Sequence, residues 1–266
     1  MNVLLVYAHP EPRSLNGSLR DLTVERLQRK GHEVTVSDLY AMQWQPSIDA
    51  ADFLARDRNQ PLDITADSQH AYQTGTQSID IAAEQQKLLR ADALILQFPM
   101  WWFSMPAILK GWVDRVYAYG LAYGVGEHSD RRWGDRYGEG MFVGKRAMLI
   151  VTAGGWQDHY SDRGVNGPMD DLLFPINHGI LHYPGFTVLP SFVVYHTSRM
   201  NTERYRQIER ELSTRLDTLW SAGPIAYRMQ NGGDYEIPSM RLKAGLSAGR
   251  HGFGLHTATP ESQQFP

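Results

Sequence analysis

The chain has 266 residues, 42% of them apolar and 21% charged, with a formal net charge of -3; this is the balance of an ordinary globular protein, with length enough for one large α/β domain or two small ones and for a sizeable core. The small negative charge, with no basic cluster, gives no electrostatic reason to expect nucleic acid or an anionic membrane as a partner. Cysteine is absent, which excludes thiol catalysis, disulfide scaffolding and Cys-type zinc sites.

No apolar window approaches the ~18 residues needed to span a bilayer. The opening MNVLLVYAHP is too short for a signal h-region and has no positive charges before it. The expectation is a cytoplasmic protein without stable membrane insertion. Residues 3–8 form a near-continuous apolar run, the mark of a strand buried on both faces of a parallel sheet. Leu15, Leu19, Leu22 and Leu27 then recur at helical spacing up to Gly31, a helix-ending glycine. Val34 and Val36 alternate with polar residues in a second strand, so the chain opens as a βαβ unit.

The turn from His9 to Gly17 leads into a helix N-terminus, where unpaired N–H groups and the positive dipole end favour an anion. Arg13, Ser14, Asn16 and Ser18 add donors for a phosphate. The plainer reading is that Ser14 caps the helix and Asn16 supports the turn. G-x-G-x-x-G is missing after the first strand, which disfavours a Rossmann-type dinucleotide site. Gly144-Lys145 lacks both the upstream glycine and the following Ser or Thr of a P-loop, so nucleotide hydrolysis is unsupported.

Residues 40–78 lose periodicity and read as a long irregular covering segment anchored by Trp44, Pro46, Phe53 and Pro61. Residues 80–90 return to a helical pattern with Ile81, Leu88 and the alanines on one face. The next stretch, 91–117, organises the rest. A strand-length apolar run breaks at Pro99, passes through Trp101, Trp102 and Phe103, and restarts as a helix at Pro106, a residue tolerated at a helix start. Those rings therefore occupy a loop at the carboxyl end of a strand, where open α/β sheets bind ligands. Aromatic rings are most often core residues, but three adjacent ones on a single loop cannot all point inward. At least one is expected to line a cleft for a planar ring system.

The Gly- and Tyr-rich segment after that helix is lid-like, with Tyr119 and Tyr123 flanked by glycine and with Asp130, Arg131, Arg132, Asp135 and Arg136 read as solvated charges. Residues 147–152 form another buried strand, followed by Gly154-Gly155, which lets backbone approach a ligand, and by Tyr160 and Asn166. A helix over 169–182, a strand over 186–195 interrupted by Pro190, and an amphipathic helix over 202–220 complete the pattern. His178 and His182 stand at i, i+4, but no third ligand is nearby, so ordinary packing is preferred and no metal is expected. The tail, 223–266, is rich in Gly, Pro and Ser and has no obvious core of its own; it is expected to wrap a neighbouring surface or a dimer partner.

Taken together, YAHPEPRSLNGSL (7–19), SDLYAM (37–42), QFPMWWFSMPAILKGWVDRV (97–116), TAGG (152–155) and FPINHGILHYPGF (174–186) resemble the NAD(P)H:quinone oxidoreductases of the DT-diaphorase type, nearly colinearly over residues 3–220. The resemblance implies a flavodoxin-like, doubly wound α/β fold: a parallel sheet of order 2-1-3-4-5 with helices on both faces, a flavin-binding catalytic domain over 1–222 and an irregular extension over 223–266. It implies a homodimer holding FAD, with FMN as the alternative, non-covalently at its interface, NAD(P)H as co-substrate and a quinone as acceptor. By matching position, His9, Ser14, Leu15 and Asn16 would contact the phosphates and adenosine side. Pro99, Met100, Trp102 and Phe103 would hold the isoalloxazine, with Thr152, Gly154, Gly155 and Tyr160 on its other edge. Trp102 and Phe103 would also meet the substrate, and Tyr123 would close the site from the second subunit. Tyr160, Gly154 and Gly155 would donate hydrogen bonds where negative charge develops on the flavin, and Asn166 would orient Tyr160 or donate directly, without acting as an acid. The sequence departs from the family at three places: Asn166 replaces a histidine paired with the tyrosine, Ala153 replaces the second threonine of Thr-Thr-Gly-Gly, and Asp63 aligns with a cofactor-touching glutamine.

Two further readings share the pattern: a flavin-dependent reductase of nitroaromatics or azo dyes, and a regulatory flavoprotein subunit of a membrane transporter. A phosphorylatable receiver on the same fold is disfavoured, because the acidic pair expected after the first strand is missing.

Overall fold

The computed structural model describes residues 1–258; residues 259–266, the end of the tail, lie outside the described residues. In chain order the strands are β1 (Asn2–Tyr7), β2 (Glu33–Asp38), β3 (Ala93–Pro99), a small hairpin of β4 (His128–Ser129) and β5 (Arg132–Trp133), β6 (Arg146–Thr152), β7 (Thr187–Val188), β8 (Phe192–Val194), and a second hairpin of β9 (Tyr235–Glu236) and β10 (Arg241–Leu242). The helices are α1 (Leu15–Arg29), α2 (Ile64–Thr74), α3 (Ile79–Arg90), α4 (Ala107–Val116), α5 (Met169–Ile176) and α6 (Thr202–Asp217).

Six strands form one parallel sheet in the order β2-β1-β3-β6, with β7 and β8 both pairing with β6. Leaving out the lid hairpin, this is the expected 2-1-3-4-5 arrangement. The fifth strand comes in two short pieces on either side of Pro190, a residue that cannot donate to a ladder.

Alternation along the central strands explains why they read as continuous apolar runs. Leu4 and Val6, Leu94, Leu96 and Phe98, and Leu149 and Val151 enter the core shared with α3, α4 and α5. Val3 and Leu5, Ala93 and Ile95, and Met148 and Ile150 enter the core shared with α1 and α6. Every residue of β3 is buried, so it can be only a central strand, as doubly covered parallel sheets require.

The 40–78 segment differs from the expectation of irregular structure. It contains α2, whose N-cap Asp63 accepts from the Thr65 and Ala66 N–H groups and whose C-cap Gly75 takes a left-handed φ of 68°. An Asp cap and a Gly stop were present in the sequence, but only Ser68 and Ala71 of this helix are buried, so the apolar stripe is too thin to announce it. Asp63 is thereby a helix cap.

The same segment is tied to α4 by charge. Arg115 on α4, almost wholly buried, donates to Asp52 at 2.6 Å, to Asp80 at 2.8 Å and to the Gln45 carbonyl at 3.0 Å. Burial alone would raise the Asp80 carboxyl, but hydrogen bonds from Ser78 and Arg115 outweigh it and hold it below its usual range. Asp52→Ala is expected to destabilise the protein by about 3 kcal/mol, because it leaves a buried guanidinium short of a partner. The double replacement Asp52→Leu/Arg115→Met should cost less than the single one. Urea unfolding of the three proteins checks both statements.

Candidate active site

The carboxyl ends of β1, β3, β6 and β8 lie side by side, and hydrogen bonds that continue past the strands lock their loops together. The Ala8 N–H donates to the Gln97 carbonyl at 3.0 Å, Met100 N–H to the Thr152 carbonyl at 2.8 Å, and Ala153 N–H to the Val194 carbonyl at 2.8 Å. One step further out, the His196 N–H donates to the Gly155 carbonyl at 2.8 Å. The two loops singled out by sequence, 99–104 and 153–160, are therefore neighbours.

The first begins at Pro99, the last residue of β3, paired with Thr152. Met100 is half-buried against the core. Trp101 and Ser104 then exchange reciprocal backbone hydrogen bonds at 3.0 and 3.1 Å, closing a two-residue turn around Trp102 and Phe103. Both central residues have positive φ, 50° and 63°. Such turns normally carry Asn-Gly or Asp-Gly, because side chains with a Cβ crowd the left-handed region. Two bulky rings there store strain of about 1–3 kcal/mol each. The rings do not offset it by burial, since Trp102 is 94% exposed and Phe103 49%. A strained turn that presents aromatic surface to solvent makes this loop a candidate binding element.

Opposite it, Thr152 ends β6 and is buried, whereas Gly154 is exposed. A Cβ at Gly154 would meet nothing within 4 Å, so it borders open space; one at Gly155 would lie 2.9 Å from the Tyr160 ring. Glycine at 155 is what allows that ring to lie against the backbone. The N–H groups of Gly154 and Gly155 take no partner among the described residues, so they are two successive donors at a strand end. Tyr160 closes a 3-10 turn, Gln157–Tyr160, with its ring 5.7 Å from that of Tyr195. Asn166 is joined to this turn through its backbone, its N–H donating to the His159 carbonyl at 2.9 Å. Its side chain makes no hydrogen bond to Tyr160, so the expected orienting contact is not formed.

The β1–α1 loop supplies the third side. Ser14 caps α1, its hydroxyl accepting from the Gly17 N–H at 3.2 Å, and it lies 3.1 Å from His9 Nδ1. The His9 ring in turn sits 6.3 Å from that of Trp101. Arg13, expected to offer a cation to a phosphate, is paired with Glu11 at the surface. Asn16 is buried: its amide donates to Thr152 Oγ1 at 2.8 Å, its carbonyl accepts from Gln97 at 2.7 Å, and its Oδ1 has no partner. It therefore ties the loop of β1 to the end of β6 rather than reaching outward. Gly17 is forced by packing, since a Cβ would lie 1.8 Å from the Pro12 carbonyl oxygen. Leu15, the first residue of α1, is half-buried against the core.

Two residues that sequence reasoning passed over complete the rim. Trp156, exposed, stacks on His196 at 3.7 Å, and Arg204 holds that histidine through its carbonyl at 2.9 Å. A tryptophan directly after Gly-Gly was the available signal. Tyr119 and Tyr123 pack edge to face at 5.2 Å, and burial pushes the Tyr123 phenol up. Neither makes a ring contact with Trp102 or Phe103 of the same chain among the described residues. No group of three or more His, Cys, Asp or Glu among the described residues could hold a metal ion, and no helix among them is long and apolar enough to cross a membrane.

Residues 1–216 match a family model described as a flavodoxin-like fold. The chain is 53% identical to the ribosyldihydronicotinamide dehydrogenase-like protein traD of Penicillium crustosum, over 97% of this chain and 96% of that protein. It is 36% identical to the rat NAD(P)H dehydrogenase [quinone] 1, over 93% of this chain and 92% of that protein. A crystal structure from Klebsiella pneumoniae, assigned as a quinone reductase, superposes with a TM-score of 0.95 at 61% identity, covering 97% of this chain and 100% of that one.

Replacing Trp102-Phe103 by Asn-Gly should relieve the strained turn and raise the stability of the ligand-free protein by about 1–3 kcal/mol. A urea midpoint that stays put or falls would show that the two rings are not strained.

Proposed function

Because the chain belongs to the flavodoxin-like family that includes the NAD(P)H and ribosyldihydronicotinamide quinone dehydrogenases, we propose that it is a flavin-dependent NAD(P)H:quinone oxidoreductase. The observation that carries the reading is the slot itself: a strained Trp102-Phe103 turn on one strand end beside the open Gly154-Gly155 backbone on the next, joined by the Met100–Thr152 hydrogen bond.

The residues present fit a flavin. An exposed aromatic wall suits a planar ring, Gly154 leaves space beside the backbone, and two unpaired glycine N–H groups with the Tyr160 hydroxyl offer donors to an anionic ring edge. At the other end, the first-turn N–H groups of Leu15 and Asn16 take no backbone partner, as a phosphate at a helix N-terminus requires. His9 and Ser14 border the same end. FAD is preferred over FMN, with residues 1–222 as the flavin-binding unit and 223–266 as an appended segment. A bound flavin would supply the two-electron chemistry, accepting hydride from NAD(P)H and delivering it to a quinone.

The chain's own contribution is positional and electrostatic. Trp102 and Phe103 hold the ring plane and flank the substrate. Gly154, Gly155 and Tyr160 stabilise negative charge at the far edge, and Pro99, Met100 and Thr152 fix the distance between the two walls. Asn166 cannot act as an acid, so no proton is assigned to it. Exposed Trp102, Phe103 and Trp156 support a second copy of the chain as cover, making a homodimer in which Tyr123 closes the neighbouring site.

A spectrum of the purified protein and chromatography of the released cofactor test the flavin assignment. Colourless protein that takes up neither FAD nor FMN would overturn it, and steady-state turnover with NADPH and menadione tests the reaction. Tyr160→Phe should slow flavin reduction about tenfold, the worth of one hydrogen bond of about 1.4 kcal/mol, with flavin content unchanged; stopped-flow absorbance reads this directly. Asn16→Ala should weaken flavin retention by freeing Thr152 and the β1 loop, measured by fluorescence titration; unaltered affinity would remove Asn16 from the site.

A further inference from the structure

Away from the strand ends, the tail, the lid segment and α5 enclose a cavity of about 390 Å³ bordered by Arg136, Tyr137, His178, Tyr235, Met240 and Phe253. This lies within the ~300–1,000 Å³ of small-molecule sites. One wall is a continuous pile of rings from three parts of the chain. Phe253 of the tail stacks on Phe174 of α5 at 4.3 Å, Phe174 on His178 at 4.5 Å, and His178 on Tyr137 of the lid at 4.6 Å, with interplanar angles of 10°, 15° and 25°.

The charge in this cavity is one-sided. Neither Asp nor Glu borders it. Arg228 is already paired with Asp234. Arg136 has no carboxylate within ion-pair distance among the described residues; its Nε donates to Gln230 Oε1 at 2.7 Å and its Nη1 lies 3.4 Å from the Tyr183 hydroxyl. Gln230 is itself held by the Trp133 and Gly134 carbonyls, at 3.1 and 3.2 Å, so the guanidinium is oriented and its Nη2 donors remain available. Burial is the main cause that pushes His178 down to about 3, and burial lowers His256 as well. His178 is therefore neutral at pH 7 and adds no competing charge. His178 Nε2 is buried without a hydrogen-bond partner.

We propose that this cavity is a second ligand site, separate from the flavin slot, that binds a planar aromatic carboxylate, with the ring against the Phe174–Phe253 wall and the carboxylate on Arg136. Flat apolar walls select an aromatic ring. A fixed guanidinium with spare donors selects a carboxylate over a neutral or cationic group.

Isothermal titration of the full-length protein with 2-naphthoate tests this, with 2-naphthamide as the neutral isostere and with flavin-loaded and flavin-stripped protein in parallel. The expected result is saturable binding of one naphthoate per chain with the same affinity in both forms. Arg136→Gln should weaken naphthoate about tenfold and leave naphthamide unchanged. Arg136→Lys should fall between the wild type and Arg136→Gln, because the charge remains while the oriented fork is lost, and a thermal melt of each variant confirms that it is folded. Absence of saturable binding to the wild type, equal naphthoate affinity in folded Arg136→Gln, or displacement of naphthoate by added flavin would each overturn the proposal. None of these outcomes depends on whether the flavin slot turns over a quinone.

Discussion

The register of the parallel ladder around β3 governs everything at the functional end of this molecule. β3 is buried along its whole length and bonded on both edges, to β1 and to β6. A one-residue slip would exchange the residues facing the two helical layers, so the register cannot drift. The loops that leave these strands inherit that rigidity. Hydrogen bonds beyond the strand ends, from Ala8, Met100 and Ala153, carry the ladder one residue outward, and the buried Asn16–Thr152 contact adds a side-chain brace between loops far apart in sequence.

On that rigid edge the chain tolerates local conformations that would otherwise be lost. Trp102 and Phe103 occupy left-handed backbone while standing largely in solvent, an arrangement that neither local propensity nor burial favours. Their flanking residues leave no alternative, because Trp101 and Ser104 are cross-bonded and the chain on either side is anchored by a buried strand and a buried helix. The turn thereby presents its rings to solvent beside the open glycine backbone of the neighbouring strand end.

The tail follows a different logic. It is held by a few anchors in place of a core: Ile225 and Tyr227 pack on the main core, and buried Arg228 binds Asp234, Ser247 and the Leu255 carbonyl at once. One guanidinium with five donors gathers a Gly-rich segment that has too little apolar surface to fold by burial alone. Aromatic stacking on Phe174 then joins this segment to α5. A cavity is the geometric result of spanning a gap with a polar framework.

The doubly covered parallel sheet, its strand order and the placement of aromatic and diglycine loops at the strand ends were legible in the sequence, because burial on both faces leaves long apolar runs and proline and glycine mark where they stop. The helix over Ile64–Thr74 was not, since only two of its residues reach the core and no periodic stripe records them. Arg136 read as one more solvated charge in a charged loop, and Arg13 as a phosphate ligand; the structure turns the first toward an aromatic cavity and pairs the second with Glu11 at the surface. Asn16 read as a donor to a phosphate and became a brace to Thr152, 136 residues away. Periodicity reports how much of an element is buried, and so the sequence by itself determined the layers and the strand ends at which the candidate site lies. Which polar side chain meets which depends on contacts between distant segments, whose geometry exists only once the sheet has closed, and that part only the tertiary structure decided.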